Sequence, residues 1–243
     1  MDEIKRRHGF WQFSLVLIQF LFLFEVQGLA DSSGDGDENY NFNWLDKDKK
    51  IYVLQNRKYL KSGHLLLSAL GGPGFSNSYR STYNAEGRLA FYFSESLGVE
   101  VFYDQFFNSP NSTVEALEQA APNTLPGIRE IRSQYGGMLH YVPWYAKINV
   151  FNSILHFDWY FGLGAASLQS FVDTRRRTAD PASYVPDNLV GIILSTGHQY
   201  HLSQSFIFRL DFTGAYYQAH VNGTSGETAW YSNYNFGVGI GWK

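Results

Sequence analysis

The sequence predicts an all-β fold: an eight-stranded antiparallel up-and-down barrel whose strands cross a membrane. The first observation is the last strand, Trp230 to Trp242, in which large apolar side chains alternate with small or polar ones. Successive side chains of a strand point to opposite faces, and glycine and asparagine cannot fill a core. An ordinary sandwich strand is the alternative, but the apolar face is expected to point outward, toward lipid. The apolar face of this strand consists of Tyr234, Phe236, Val238, Ile240 and Trp242.

The second observation is the order of the connections between candidate strands. Tight turns at 94–96 and 201–203 and a moderate connection at 146–153 alternate with long segments at 108–131 and 171–186 and a shorter one at 219–228. Only the first outer loop, around Asn77, is short. Short periplasmic turns and longer outer loops are typical of bacterial membrane barrels, if both termini are periplasmic.

The N-terminus has the pattern of an export signal, residues 1–30. Lys5, Arg6 and Arg7 precede a mostly apolar run from 10 to 24, and Gly28-Leu29-Ala30 supplies small residues for cleavage before Asp31. An uncleaved anchor is the alternative, but the run is shorter than the roughly 20 apolar residues of a membrane helix.

Residues 31–62 are predicted to be a periplasmic tether. The stretch 31–43 is acidic and rich in Gly and Ser, with no apolar period, and 46–61 alternates in charge. Residues 51–54 are apolar enough to form a short strand or helix docked at the periplasmic end of the barrel.

The barrel is predicted to span 63–243, with no convincing helical period. Alternation is clear in six of the eight candidate strands, whereas the first has no readable period and the fourth is weakened by Pro143, which cannot donate to a ladder. In order, the strands are expected at about 63–76, 79–93, 97–107, 132–145, 154–170, 187–200, 204–218 and 229–242.

Composition restricts the function classes. Aromatic residues make up 18% of the chain, charged residues only 17%, and there is no cysteine, which excludes disulfides, thiolate metal sites and a lipoprotein anchor. The net charge of −3 gives no reason to expect a nucleic-acid partner.

The chain resembles the small eight-stranded outer-membrane β-barrel proteins of Gram-negative bacteria. The resemblance rests on the strand Leu155 to Leu163, with His156 and Asp158 inward, and on the aromatic last strand. The lead-in Tyr52 to Tyr59 is also similar to an uncharacterised "outer membrane beta-barrel domain" family. The resemblance implies an outer-membrane monomer among lipid and lipopolysaccharide. It also implies that the barrel-assembly machinery reads the last strand, although Lys243 follows the terminal aromatic.

The faces opposite the apolar ones carry a polar set that is expected to fill the lumen. An eight-stranded barrel is just wide enough for side chains to fill, so a network of ion pairs is the main prediction and a narrow pore the alternative. Arg209 is expected to contact an inward carboxylate. The predicted network is Glu86, Arg88, Glu100, Asp104, His140, His156, Asp158, Arg209 and Asp211.

Catalytic, cofactor and metal sites are not expected. His198 with Ser195, and His64 with Ser68, lack a neighbouring acid in a recognisable motif, and His140 and His156 lack a third ligand at matching spacing.

The outer loops are where any ligand contact is expected. Arg175-Arg176-Arg177 are candidates for contact with anionic lipopolysaccharide, the alternative being a solvated charge run. The sequence therefore predicts a structural or surface-recognition barrel. A narrow channel for small or hydrophobic solutes and a lipid-modifying enzyme are the alternatives.

Overall fold

A computed structural model describes residues 57–75, 77–123, 125–150, 153–175, 183–221 and 226–243. Within these residues, eight strands form one closed antiparallel sheet in which each strand pairs with its neighbour in sequence and the last returns to the first. The predicted fold class is confirmed. The strands are β1 Leu65–Gly74, β2 Arg80–Tyr92, β3 Leu97–Pro110, β4 Ile128–Val150, β5 Ser153–Asp173, β6 Tyr184–His201, β7 Phe206–His220 and β8 Thr228–Trp242.

The two faces of the wall have the predicted inverted polarity. Ile240 is 63% exposed on the outside, whereas Arg209 is fully buried inside. The same alternation holds in β1, where Leu65 and Leu67 face outward and Leu66 faces inward. An apolar exterior around a polar interior is the arrangement of a transmembrane barrel.

One helix, α1 at Ser112–Ala120, lies in the connection between β3 and β4. The expectation of no helix is wrong here. Asn111 caps it by accepting hydrogen bonds from the backbone amides of Thr113 and Val114. Only Val114 is buried, so the helix has too narrow an apolar stripe to show a helical period in the sequence. Among the residues that the structure describes, no helix has the length and apolar character to cross a membrane.

The expectation of a moderate connection at 146–153 is also wrong, because β4 continues to Val150 and β5 begins at Ser153. Pro143 falls where the β4–β5 register shifts, between Tyr141 and Trp144, so the ladder accommodates its missing N–H as an irregularity. β3 begins at Leu97, opposite Tyr141, so the β4–β5 hairpin extends beyond the end of β3.

The barrel has two distinct ends. The turn end carries the short connections 93–96 and 202–205, the β4–β5 hairpin and the described termini. The loop end carries the connections 75–79, 111–127, 174–183 and 221–227. The last three are shorter than predicted because the flanking strands are longer, whereas the first is longer because β1 ends at Gly74.

The interior is layered. A small apolar cluster, including Leu66, Val142 and Ile207, lies toward the turn end. A larger one, including Phe106, Leu168 and Tyr217, fills the half of the lumen toward the loop end. The central polar residues described below lie between them.

Candidate functional site

The centre of the lumen is a charged cluster built on two arginines. The Arg88 guanidinium lies 2.9 Å from a Glu86 carboxylate oxygen, 3.0 Å from Glu100 Oε1 and 3.4 Å from Asp211 Oδ2. Arg209 lies 2.9 Å from Glu100 Oε2 and 2.8 Å from Asp211 Oδ2. Glu100 and Asp211 therefore each contact both guanidinium groups, and no side chain of the cluster is more than 1% exposed.

Neutral side chains complete the coordination of the two guanidinium groups. The Tyr160 hydroxyl accepts from Arg88 at 3.3 Å and from Arg209 at 3.1 Å. Thr213 accepts from Arg88 at 2.9 Å, and Ser68 accepts from Arg209 at 3.1 Å. Because arginine does not lose its charge in proteins, this set of acceptors makes burial of the two cations tolerable.

Two residues beside the cluster fix its geometry. His140 Nε2 lies 3.3 Å from Glu100 Oε1, and its ring stacks on Tyr160 at 4.4 Å between centroids. Gly197 provides room for Asp211 and the Tyr160 ring, because a Cβ there would collide with Asp211 Oδ1, with the carbonyl of Leu210 and with Tyr160 Cε1.

Asp104 forms a separate layer toward the loop end. Its carboxylate accepts from the side-chain amides of Asn84 at 3.0 Å, Gln134 at 3.3 Å and Asn235 at 3.4 Å. Side-chain amides take the place of a cation at this carboxyl group.

At the turn end, Lys61 enters the lumen. Its Nζ lies 2.8 Å from Asp158 Oδ2, and the side chain is almost fully buried. His201 Nε2 lies 2.7 Å from the same oxygen. Burial lowers the pKa of the Lys61 amine, and the Asp158 carboxylate opposes that shift. Tyr59 stacks on His201 at 5.0 Å and meets His156 edge-on at 5.4 Å.

Residues 57–62, which the sequence analysis assigned to the tether, thus pack against the barrel. Glu95 in the β2–β3 turn accepts from the backbone amides of Lys61 at 3.0 Å and Ser62 at 2.9 Å. Lys243 donates to the carbonyl of Leu60 at 2.6 Å. The export signal and the rest of the predicted tether, 1–56, lie outside the described residues.

Ion pairs also join the strands at the loop end. Arg80 lies 3.4 Å from Glu130 and 3.9 Å from Asp173, which links β2, β4 and β5. Arg129 lies 3.0 Å from Asp187 and donates to the carbonyl of His220 at 2.6 Å, which links β4, β6 and β7. Five strands are thereby joined near their ends by side chains as well as by the backbone ladder.

The predicted network thus forms three groups. Glu86, Arg88, Glu100, His140, Arg209 and Asp211 are in mutual contact; Asp104 has its own amide partners; Asp158 and His156 lie at the turn end.

Three residues at the turn end were not predicted from the sequence: Lys61, Tyr59 and His201. Continuing the β6 alternation by one step past Gln199 places His201 inward, so a signal for it existed. Nothing in the sequence marks Lys61 as buried, because it lies in a stretch of alternating charge. Arg80 and Glu130 were missed because they fall at or beyond the predicted strand ends.

The histidine–serine pairs do not assemble. His198 lies outward between Trp159 and Tyr200, whereas Ser195 faces the lumen. Ser68 bonds Arg209, and His64 bonds the carbonyl of Ser62. In the described part of the chain, no group of three or more His, Asp or Glu residues has metal-binding geometry.

Of the predicted arginine run, Arg175 is engaged by Asp173 through Nε at 3.0 Å and Nη2 at 2.8 Å. Arg176 and Arg177 lie outside the described residues. The last-strand residues Tyr234, Phe236, Val238, Ile240 and Trp242 all face outward, along β8 between β7 and β1.

No protein family and no curated protein matches the chain. Solved structures that are similar to it include the following three. The Neisserial surface protein A shares 12% identity at a TM-score of 0.48, over 74% of this chain and 96% of that one. The N-terminal β-barrel domain of Pseudomonas aeruginosa OprF shares 11% at 0.46, over 74% and 97%. The P. aeruginosa outer membrane protein OprG shares 13% at 0.44, over 76% and 97%. At these identities and TM-scores the likenesses say nothing about function.

Proposed function

We propose that this protein is an outer-membrane barrel with a closed lumen, whose role is structural or surface recognition through the loop end. The observation that carries the proposal is the buried cluster of Arg88, Arg209, Glu86, Glu100 and Asp211 across the centre of the barrel. A packed ion-pair network leaves no path for hydrated ions.

Two further layers support a closed lumen. The apolar cluster on the loop side, with Leu168 and Ile193 fully buried, would have to part for any polar solute. On the other side, Lys61 and Tyr59 cover the turn end. Planar bilayers with the mature protein should therefore show no steady conductance. A stable open-channel current would contradict the closed-lumen proposal and favour the channel alternative.

The ion pairs at the loop end support a role in recognition. Arg80 and Arg129 hold the ends of several strands, so the described strand ends form a defined surface there. A preformed surface lowers the ordering cost of binding a partner.

The loop end is proposed to face the outside. The chain has no native cysteine, so single cysteines give unique labels. Gln119 in α1 and Gln204 in the β6–β7 turn are both exposed and lie at opposite ends. With an impermeant maleimide on intact cells, Gln119→Cys should be labelled and Gln204→Cys should react only after the outer membrane is permeabilised. The reverse pattern would contradict the orientation.

A further inference from the structure

The wall of the barrel opens between β3 and β4 at the loop end. Cα pairing of these strands stops at Gln105 and Ser133, although β3 continues to Pro110 and β4 begins at Ile128. The last residues of β3 and the first of β4 therefore diverge.

Side-chain amides bridge the opening in place of the backbone ladder. Gln105 Nε2 donates to the carbonyl of Arg132 at 2.8 Å, and Asn108 Nδ2 donates to the carbonyl of Ile131 at 2.8 Å. Unpaired backbone groups are costly in hydrocarbon. An opening of this kind is compatible with the interfacial level, where polar headgroups are available.

A β-bulge at the same place turns one arginine outward. In the β4–β5 register Ile131 faces Ser170 and Ser133 faces Gln169, so Arg132 is the extra residue. A bulge re-aims the side chain it carries. Arg132 is 43% exposed, while its neighbours Ile131 and Ser133 are buried.

The guanidinium group of Arg132 is held in place by its neighbours, but not all of its N–H groups have a hydrogen-bond acceptor in the part of the chain that the structure describes. It lies 4.1 Å from the ring centroid of Phe171 and 5.3 Å from that of Tyr184, and its Nε donates to Glu130 at 3.3 Å. Among the described residues, neither of its terminal nitrogens has a hydrogen-bond acceptor. Two adjacent N–H groups of this kind match the oxygens of a phosphate.

Arg132 borders a cleft of about 440 Å³ on this side of the barrel. Its other charged lining residues are Arg80 and Glu130. With Asp173 and Arg175 alongside, three guanidinium groups face two carboxylates, which leaves one positive charge. The apolar part of the lining consists of Phe106, Phe107, Pro110 and Tyr184.

The cleft opens at the level where lipid headgroups meet acyl chains. Phe107 pairs with Tyr83 across β2 and β3, and the two outward rings are 59% and 63% exposed. Exposed aromatic side chains near a barrel end form the girdle at the membrane interface.

We propose that this cleft binds lipid A, the phosphorylated and acylated lipid of the outer leaflet. A phosphate would pair with the open side of Arg132, and an acyl chain would lie along Phe107, Pro110 and Tyr184. The inference rests on the proposed outward orientation of the loop end. It moves the expected lipopolysaccharide contact away from Arg175, which Asp173 already engages.

Native mass spectrometry of the mature protein in detergent tests the proposal by titration with lipid A. Arg132→Gln should weaken binding roughly tenfold, as expected for loss of a charge-assisted contact. Lys147→Gln, which removes an exposed cation at the turn end, is the matched control and should bind as wild type does. Dephosphorylated lipid A should bind wild type as weakly as lipid A binds Arg132→Gln.

Three outcomes would overturn the proposal. They are equal binding by Arg132→Gln and Lys147→Gln, equal binding of glucosamine phosphate without acyl chains, and equal binding of phosphatidylglycerol. Heat-modifiable migration on gels verifies folding. If Arg132→Gln does not fold, Phe107→Ala at an exposed position gives the second test and should also weaken lipid A binding. Binding in detergent depends neither on orientation nor on conductance, so its failure is distinguishable from failure of the proposed function.

Discussion

Replacing Arg209 by alanine tests whether the central cluster holds the barrel together. The substitution removes ion pairs of 2.9 Å to Glu100 and 2.8 Å to Asp211, and hydrogen bonds to Ser68 and Tyr160. Breaking a buried ion pair by removing one partner typically costs about 3–5 kcal/mol, because the other charge is left uncompensated.

The structure places the expected cost at the lower end of that range. Glu100 keeps Arg88 at 3.0 Å and His140 at 3.3 Å, and Asp211 keeps Arg88 at 3.4 Å, so neither carboxylate loses its last cationic or imidazole partner. We expect a loss of about 3 kcal/mol in the free energy of unfolding. Reversible unfolding in denaturant from lipid vesicles, followed by tryptophan fluorescence, measures it.

Two companion variants test the cause of that loss. The double variant Arg209→Ala/Glu100→Gln should lose less free energy of unfolding than the two single variants lose together, because the uncompensated charge of Glu100 is removed. The free energy of unfolding of Arg209→Lys should lie between those of wild type and Arg209→Ala. Lysine keeps the positive charge but lacks the planar guanidinium group that donates to several acceptors at once. A loss below about 1 kcal/mol for Arg209→Ala would refute the reasoning, since a loss that small is typical of exposed pairs.

Three further predictions concern the lipid face, the packing and the turn end. Phe212→Arg, near mid-height of β7, should lower the free energy of unfolding by about 2–4 kcal/mol, and Phe208→Arg, close to the turn end, by clearly less. Unfolding from lipid vesicles measures both; equal costs would contradict the assigned depths, and a negligible cost for Phe212→Arg would contradict its outward position. Gly197→Ala should lower the denaturant midpoint because its methyl group collides with Asp211, and an unchanged midpoint would mean that the collision is relieved at no cost. Burial lowers the pKa of Lys61, so the unfolded chain holds this proton over a pH window in which the folded chain has lost it, and stability should rise with pH between the lowered and ordinary values. In Lys61→Met, the free energy of unfolding from denaturant titrations at several pH values should no longer show this rise. A pH dependence identical to that of wild type would refute its assignment to Lys61.

The sequence predicts the fold well because the two faces of most strands differ so strongly. In the last strand, glycine and asparagine alternate with Phe236 and Ile240, so one face is large and apolar and the other is small or polar. β1 hides its period because Leu66 and Leu70 face inward between outward apolar residues.

The candidate site is only partly predictable. Alternation identifies the inward polar residues, but it carries no information on strand register, and register decides that Arg209 meets Glu100 across the lumen. Burial of Lys61 depends on an acid supplied by β5, which no local pattern reveals. The bulge that exposes Arg132 is likewise a property of the pairing between two strands.

The contacts of residues 57–62 also bear on the order of folding events. Lys61 needs Asp158 from β5, Tyr59 needs His201 from β6, and Leu60 needs Lys243, which follows the last strand. These partners come together only when the ring is complete, so the contacts are expected to be absent from the transition state for closure. Interactions that form after the transition state slow unfolding and leave the folding rate nearly unchanged. The short segment before β1 is thus expected to slow unfolding of the closed barrel. Lys61→Met should therefore shorten the lifetime of the folded state without slowing folding and insertion.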